Sequence, residues 1–158
     1  MRTIYGLLVI SLLLFLGGIT FIVLAARAAG QAPASAPVAS VKQMMQGIVT
    51  PASAAIYNAV STTITEKGTE ETFPRNDREW EVVGSHALAL VEASNLMKVD
   101  GRAKDSTDWM RMSDAMATAA MQSYRATEKK DVEALLASGE VLNNSCDGCH
   151  RRYEAAVE

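Results

Sequence analysis

The sequence predicts an all-α protein, an antiparallel four-helix bundle behind an N-terminal transmembrane helix. Three observations predict it. Apolar residues recur at helical spacing almost throughout from Val41 onward. Alternation of Val, Ile and Thr over five residues is absent outside the first segment and the Ser61–Thr65 region. The run Ile4–Ala26 carries no charge, whereas all 18 acids lie after residue 27. Beyond Arg27 the chain has 13 basic and 18 acidic residues, a net of −5. So acidic a unit is a poor partner for a phosphate backbone, and no nucleic acid is expected. The 158 residues suit one domain with an appendage.

Residues 1–29 read as a membrane anchor. The uncharged run spans 23 residues, about the ~20 that cross a hydrocarbon core as a helix. Cleavable signal peptides have apolar runs of only ~7–15. The small residues around Arg27 (Ala25, Ala26, Ala28, Ala29) still offer a peptidase a site, so cleavage stays open. Arg2 on one side and Arg27 with Lys42 on the other barely decide the orientation. Residues 30–40 are Ala-, Pro- and Ser-rich and read as a semi-extended linker. Residues 41–158 form the folded domain.

In its first helix Val41, Met45, Ile48, Ala52, Ala55 and Ala59 step by 4, 3, 4, 3, 4. Met44 then points about 100° away from Met45, and Pro51 should kink the helix. Ser61–Pro74 is polar, contains Gly68 and reads as a loop. The second helix, Asp77–Met97, has Trp80, Val83, Ala87, Leu90, Ser94 and Met97 on one seam. The third starts at Asp105 or Ser106 and runs to about Glu128, with Trp109, Met112, Met116, Ala119 and Ser123 inward. The fourth begins near Lys130–Asp131, and its seam is Leu135, Gly139, Leu142, Cys146, Cys149 and Tyr153.

Cys146-Asp147-Gly148-Cys149-His150 is C-x-x-C-H, the attachment signature of c-type haem. On a helix, positions i, i+3 and i+4 share one face. Two thiols there reach the vinyl groups along one porphyrin edge, and the imidazole is carried beneath the ring as proximal iron ligand. One covalent haem c is therefore the expected cofactor, held by Cys146, Cys149 and His150. A zinc site is less well served, since only His86 remains as a further ligand of that kind. A thioredoxin-like pair wants a βαβ context that this chain lacks. No Met or His follows His150, so any sixth ligand comes from upstream, on another helix. No Ser/His/acid set, phosphate loop or paired helical His is present, and the chain is not read as an enzyme.

This pentad near the end of a fourth helix resembles the class II cytochromes c, the cytochrome c′ superfamily, over about Val41–Tyr153. The strings VKQMMQGIVTPASAAIYNAV and NLMKVDGRAKDSTDWMRMS are similar to stretches of anchored or secreted bacterial members. The resemblance implies haem between up-and-down helices and a tendency to dimerise. It divides members into low-spin carriers with a first-helix Met ligand and high-spin gas binders without one. Met45 is the position it indicates as distal ligand; the alternative is that Met45 only packs. His86 is a weaker axial candidate. Trp80, Trp109, Tyr57 and Tyr153 are expected on the ring or in the core. Arg151 and Arg152 are the candidate propionate contacts, with Arg102 and Lys104 behind them.

The expectation is a monohaem carrier of single electrons on the periplasmic side of a bacterial inner membrane. Its partners would be redox proteins, including membrane-bound respiratory enzymes, that offer basic surfaces to its acidic one. A five-coordinate gas-binding protein and an accessory subunit of a membrane redox complex stay open.

Overall fold

The structure, a computed structural model, describes residues 2–29 and 37–154, and the chain divides into two compact units, before and from residue 37. The first holds one helix, α1 (Arg2–Ala29). Within it Ile4–Ala25 has a mean hydropathy of 2.9, long and apolar enough to cross a membrane. Its apolar side chains are exposed on every side, which suits a lipid surround and not a water-facing surface. Thr20 satisfies its hydroxyl within the helix by donating to the Leu16 carbonyl at 2.6 Å. Most of the expected linker, residues 30–36, lies outside the described residues.

The second unit is mostly helical. Helix α2 covers residues 41–57 in three pieces: Val41–Met44 is α-helical, Met45–Val49 is π-helical and Thr50–Tyr57 is α-helical again. Ser40 opens it with a capping box, its hydroxyl accepting from Gln43 N–H while the Gln43 side chain accepts from Ser40 N–H. The π-turn corrects the expected seam. Buried positions are Met44, Val49, Ala52 and Ile56, stepping by 5, 3 and 4. Ile48, expected inward, is exposed, and Met44, expected to point away, is 2% exposed in the core. The physical reason is Pro51. It has no N–H to give Gly47 and its ring crowds that carbonyl. The helix widens just before it, and Thr50 N–H reaches back five residues to the Met45 carbonyl.

The segment read as a loop is a β-hairpin, so the unit is not all-α. Strands β1 (Ser61–Thr65) and β2 (Gly68–Thr72) pair antiparallel, Ser61 opposite Thr72 and Thr65 opposite Gly68. Thr65 Oγ1 accepts from Lys67 N–H and donates to the Gly68 carbonyl, and Gly68 takes φ +130°. Every strand residue is exposed. The β-branched run at Ser61–Thr65 marked the first strand, but with no buried face the polar segment read as a loop.

Helix α3 is Asp77–Met97, with all six predicted seam residues buried. Asn76 caps it, its Oδ1 accepting from Glu79 N–H at 3.0 Å. Helix α4 is Asp108–Lys129 and begins two or three residues later than expected. Asp105 nevertheless serves its start, since Oδ1 accepts from Thr107 N–H and Trp109 N–H at 2.9 and 3.0 Å. Lys130, left-handed at φ 53°, ends α4, and Asp131 caps α5 (Val132–Tyr153) by accepting from Ala134 N–H.

Contacts fix the relative directions. Trp109 at the start of α4 donates its indole N–H to the Met97 carbonyl at the end of α3, 2.8 Å away. Lys130 after α4 pairs with Asp77 at the start of α3. Tyr153 at the end of α5 donates to Asp105 before α4. Arg102, just beyond α3, donates to the Ala39 carbonyl just before α2. Each helix thus runs against its neighbour. Gly84 lets α3 and α4 come together, because a Cβ there would sit 2.8 Å from Thr127 Oγ1. Between α4 and α5 the buried Ser138 hydroxyl donates to Ser123 at 2.9 Å. Helix α2 leans mainly on α3 and touches α5 only thinly. That loose α2–α5 seam is where the cavity described below lies.

Candidate functional site

The helical spacing of Cys146, Cys149 and His150 does what geometry requires. All three line one cavity of about 230 Å³ between α2 and α5, closed beneath by α3 and α4. Opposite them α2 presents Met45, Val49, Thr50, Ser53 and Tyr57. Met97 from α3 and Met112, Ser113 and Met116 from α4 form the floor. Met45 is therefore brought to the motif, half-buried, while its neighbour Met44 is spent on the core. The π-turn separates the two roles: it sends Met44 and Val49 inward and leaves Met45 on the cavity wall.

Partial burial sets the electrostatics of the wall. Burial raises the thiol of Cys146, and burial followed by the neighbouring Cys146 raises that of Cys149. Burial, then proximity to Cys146, pushes the Tyr57 hydroxyl up to about 12. Both cysteines are free. Raised thiols stay protonated at neutral pH, the opposite of the lowered pKa that a thiol–disulfide catalyst uses. Among the described residues no three His, Cys, Asp or Glu side chains are grouped closely enough to hold a metal ion between them, as a closed zinc site would need.

His150 is half exposed, with Nδ1 3.3 Å from Glu154 Oε2 one turn on. A carboxylate on one imidazole nitrogen orients the ring and leaves the other for a metal. The turn that carries His150 is clasped to the start of α4. The Tyr153 hydroxyl donates to Asp105 Oδ2, and Arg152 pairs with Asp108 at 2.8 Å. Tyr153 also meets Trp109 edge-to-face at 5.0 Å. The Tyr153 bond, then the two backbone donors, hold the Asp105 carboxyl down at about 2.

Other predicted residues fall elsewhere. Arg152 is engaged by Asp108, while Arg151 is exposed with no ion pair among the described residues. Arg102 is held by the Ala39 and Leu96 carbonyls. His86 is not in the cavity wall, and Trp80 lines a separate groove against Tyr124 and Thr127. Trp109 and Tyr153 pack behind the wall rather than in it. Sequence reasoning missed the hydroxyls of Thr50 and Ser53. With Tyr57 they fall at i, i+3 and i+7, a stripe the α2 pattern contains but whose polarity hid it. It also missed Asp105 as the anchor of the last turn, a contact across 48 residues that no local pattern carries.

Comparison with family models, characterised proteins and solved structures returns no match.

The donor set present suits a haem: two thiols and an imidazole on one face, with a thioether across from them. The wall can adjust to a flat macrocycle, because the half-buried Met45 and Met112 can swing aside. Unbranched Met side chains do that at low cost.

Proposed function

We propose that residues 37–154 are an antiparallel four-helix bundle of the class II cytochrome c kind. On this reading it holds one covalently attached haem c and carries single electrons outside the cytoplasm, tethered by the helix of residues 1–29. One observation carries the reading: Cys146, Cys149 and His150 converge on a single cavity whose opposite wall bears Met45. Haem, when bound, supplies a one-electron couple, and the surrounding protein tunes it. Cys146 and Cys149 are the attachment points and His150 the proximal ligand, oriented by Glu154. Met45 is the distal ligand. The buried Met side chains of the floor keep water from the ring. The outward placement of the unit follows from the attachment chemistry, which takes place outside the cytoplasm.

The test is direct. Full-length protein isolated with its pigment should keep the added mass of one haem after acid–acetone extraction. Its reduced spectrum should be low-spin and unmoved by carbon monoxide. A mass equal to the bare polypeptide overturns the reading.

A gas-binding protein with an open distal face is the second reading, favoured by the Thr50 hydroxyl on the wall that bears Met45. Distal hydrogen-bond donors help decide whether a haem binds small gases or passes electrons. A high-spin reduced spectrum that shifts promptly with carbon monoxide selects it. A stoichiometric companion retained through purification in mild detergent selects an accessory subunit.

A further inference from the structure

The net charge of the region beyond the anchor suggests basic partners, but its distribution reverses that at the cavity end. The start of α2, the α3–α4 connection with the first turns of α4, and the last turns of α5 (residues 37–46, 97–114 and 143–154) hold seven basic and six acidic residues, a net of +1, Lys98 being paired with Asp114. The other described residues of the unit, 47–96 and 115–142, hold six basic and eleven acidic, a net of −5. Contacts join the three segments into one end. Arg102 reaches Ala39, Arg152 reaches Asp108, and Tyr153 reaches Asp105. Lys42, Lys104 and Arg151 stand on this end exposed, without an ion pair among the described residues, and none lines the cavity.

Distance makes the asymmetry matter. Helix α3 has 21 residues, so the two ends lie about 30 Å apart at ~1.5 Å per residue. The Debye length at physiological salt is only ~8 Å. A partner at the cavity end therefore feels the local cations and little of the acidic hairpin end.

We propose that the basic end around Lys42, Lys104 and Arg151 is the electron-exchange docking surface, and that it fits a redox protein presenting clustered carboxylates. This rests on the haem reading only in its redox part. The acidic end, with Glu66, Glu70 and Glu71 on the hairpin, then faces away and orients the approach.

The experiment uses the full chain in neutral detergent micelles, isotope-labelled for amide resonances. Adding polyglutamate at about 0.01 M salt, where the Debye length is ~30 Å, should shift resonances in residues 37–46, 97–114 and 143–154. The shifts should vanish at about 0.2 M salt and in Lys42→Glu/Lys104→Glu, whose circular dichroism should match wild type. As a second readout, oxidation of the reduced protein by ferricyanide, an anion, should slow about threefold or more over the same salt range. It should quicken with salt in the double variant. Ferricyanide oxidation that quickens with salt in the wild type overturns the proposal. So does a surface that responds only to phosphatidylglycerol doped into the micelles, which would make it a lipid contact, or binding only of polylysine at the hairpin. A chain without pigment gives no optical change at all and overturns the haem reading, while the amide shifts still report the surface.

Discussion

The two ends of the folded unit are built differently. At the cavity end, Trp109 is buried at 3% exposure with its indole N–H bonded across helices, and Tyr153, Asp105, Arg152 and Asp108 interlock around it. At the far end the chain leaves α2, forms a hairpin with every strand residue exposed, and returns to α3. Ile64 on that hairpin is 83% exposed. The first end fixes the turn that bears His150, where small displacements of a ligand matter. The hairpin at the second contributes nothing to the core, and an isolated two-stranded sheet is marginal in water. The core runs through both ends, from Trp80 to Met97 along α3, but the candidate chemistry is concentrated at one; the hairpin at the other is a surface feature.

Trp109→Ala should break this contrast most severely. It removes a buried aromatic side chain and orphans the Met97 carbonyl, so a loss of about 3–5 kcal/mol is expected in urea unfolding. Next come the two neighbouring methionines. Met44→Ala should cost about 2–5 kcal/mol, as deletion of a core side chain does, with little change in the spectrum of the loaded protein. Met45→Ala should do the reverse, costing less stability while converting a low-spin centre to one that reacts with carbon monoxide. If both variants keep the wild-type spectrum, Met45 only packs.

Tyr153→Phe sharpens the comparison through pH. Asp105 titrates at about 2 in the folded state against an ordinary 3.8. Its favourable contribution is therefore present above about pH 4 and lost as pH falls through about 2. Removing the phenol hydroxyl, the largest cause of that lowering, should destabilise the variant at pH 7. The gap from wild type should narrow steadily between pH 5 and pH 2. A gap independent of pH would show that Tyr153 acts through packing against Trp109 alone. The smallest effect belongs to the hairpin, where Ile64→Ala should change the unfolding free energy by no more than about 0.5 kcal/mol.

Legibility in the sequence followed burial. Helix α3 buries one continuous stripe from Trp80 to Met97, and its bounds and seam were readable residue by residue. The motif at 146–150 was readable because its three side chains need only a local helix to share a face. The hairpin was only hinted at, by the β-branched run at Ser61–Thr65, since its strands bury nothing and show no apolar face. The phase of α2 was half legible: Pro51 announced a disturbance, but whether it would bend the helix or insert a π-turn depends on which choice buries Met44 and Val49 against α3. The single helix of residues 1–29 was plain from its uncharged run.

The amino-acid order alone determined the helices, the apolar first segment and the shared face of two thiols and an imidazole. These rest on periodicity and spacing, which act within a few residues. Tertiary structure alone decided that Met44 is buried in the core. It also decided that Asp105 anchors the turn after His150, and that the cations gather at the cavity end of an acidic chain. Those outcomes depend on which residues meet across tens of positions, where packing and not local preference sets the partner.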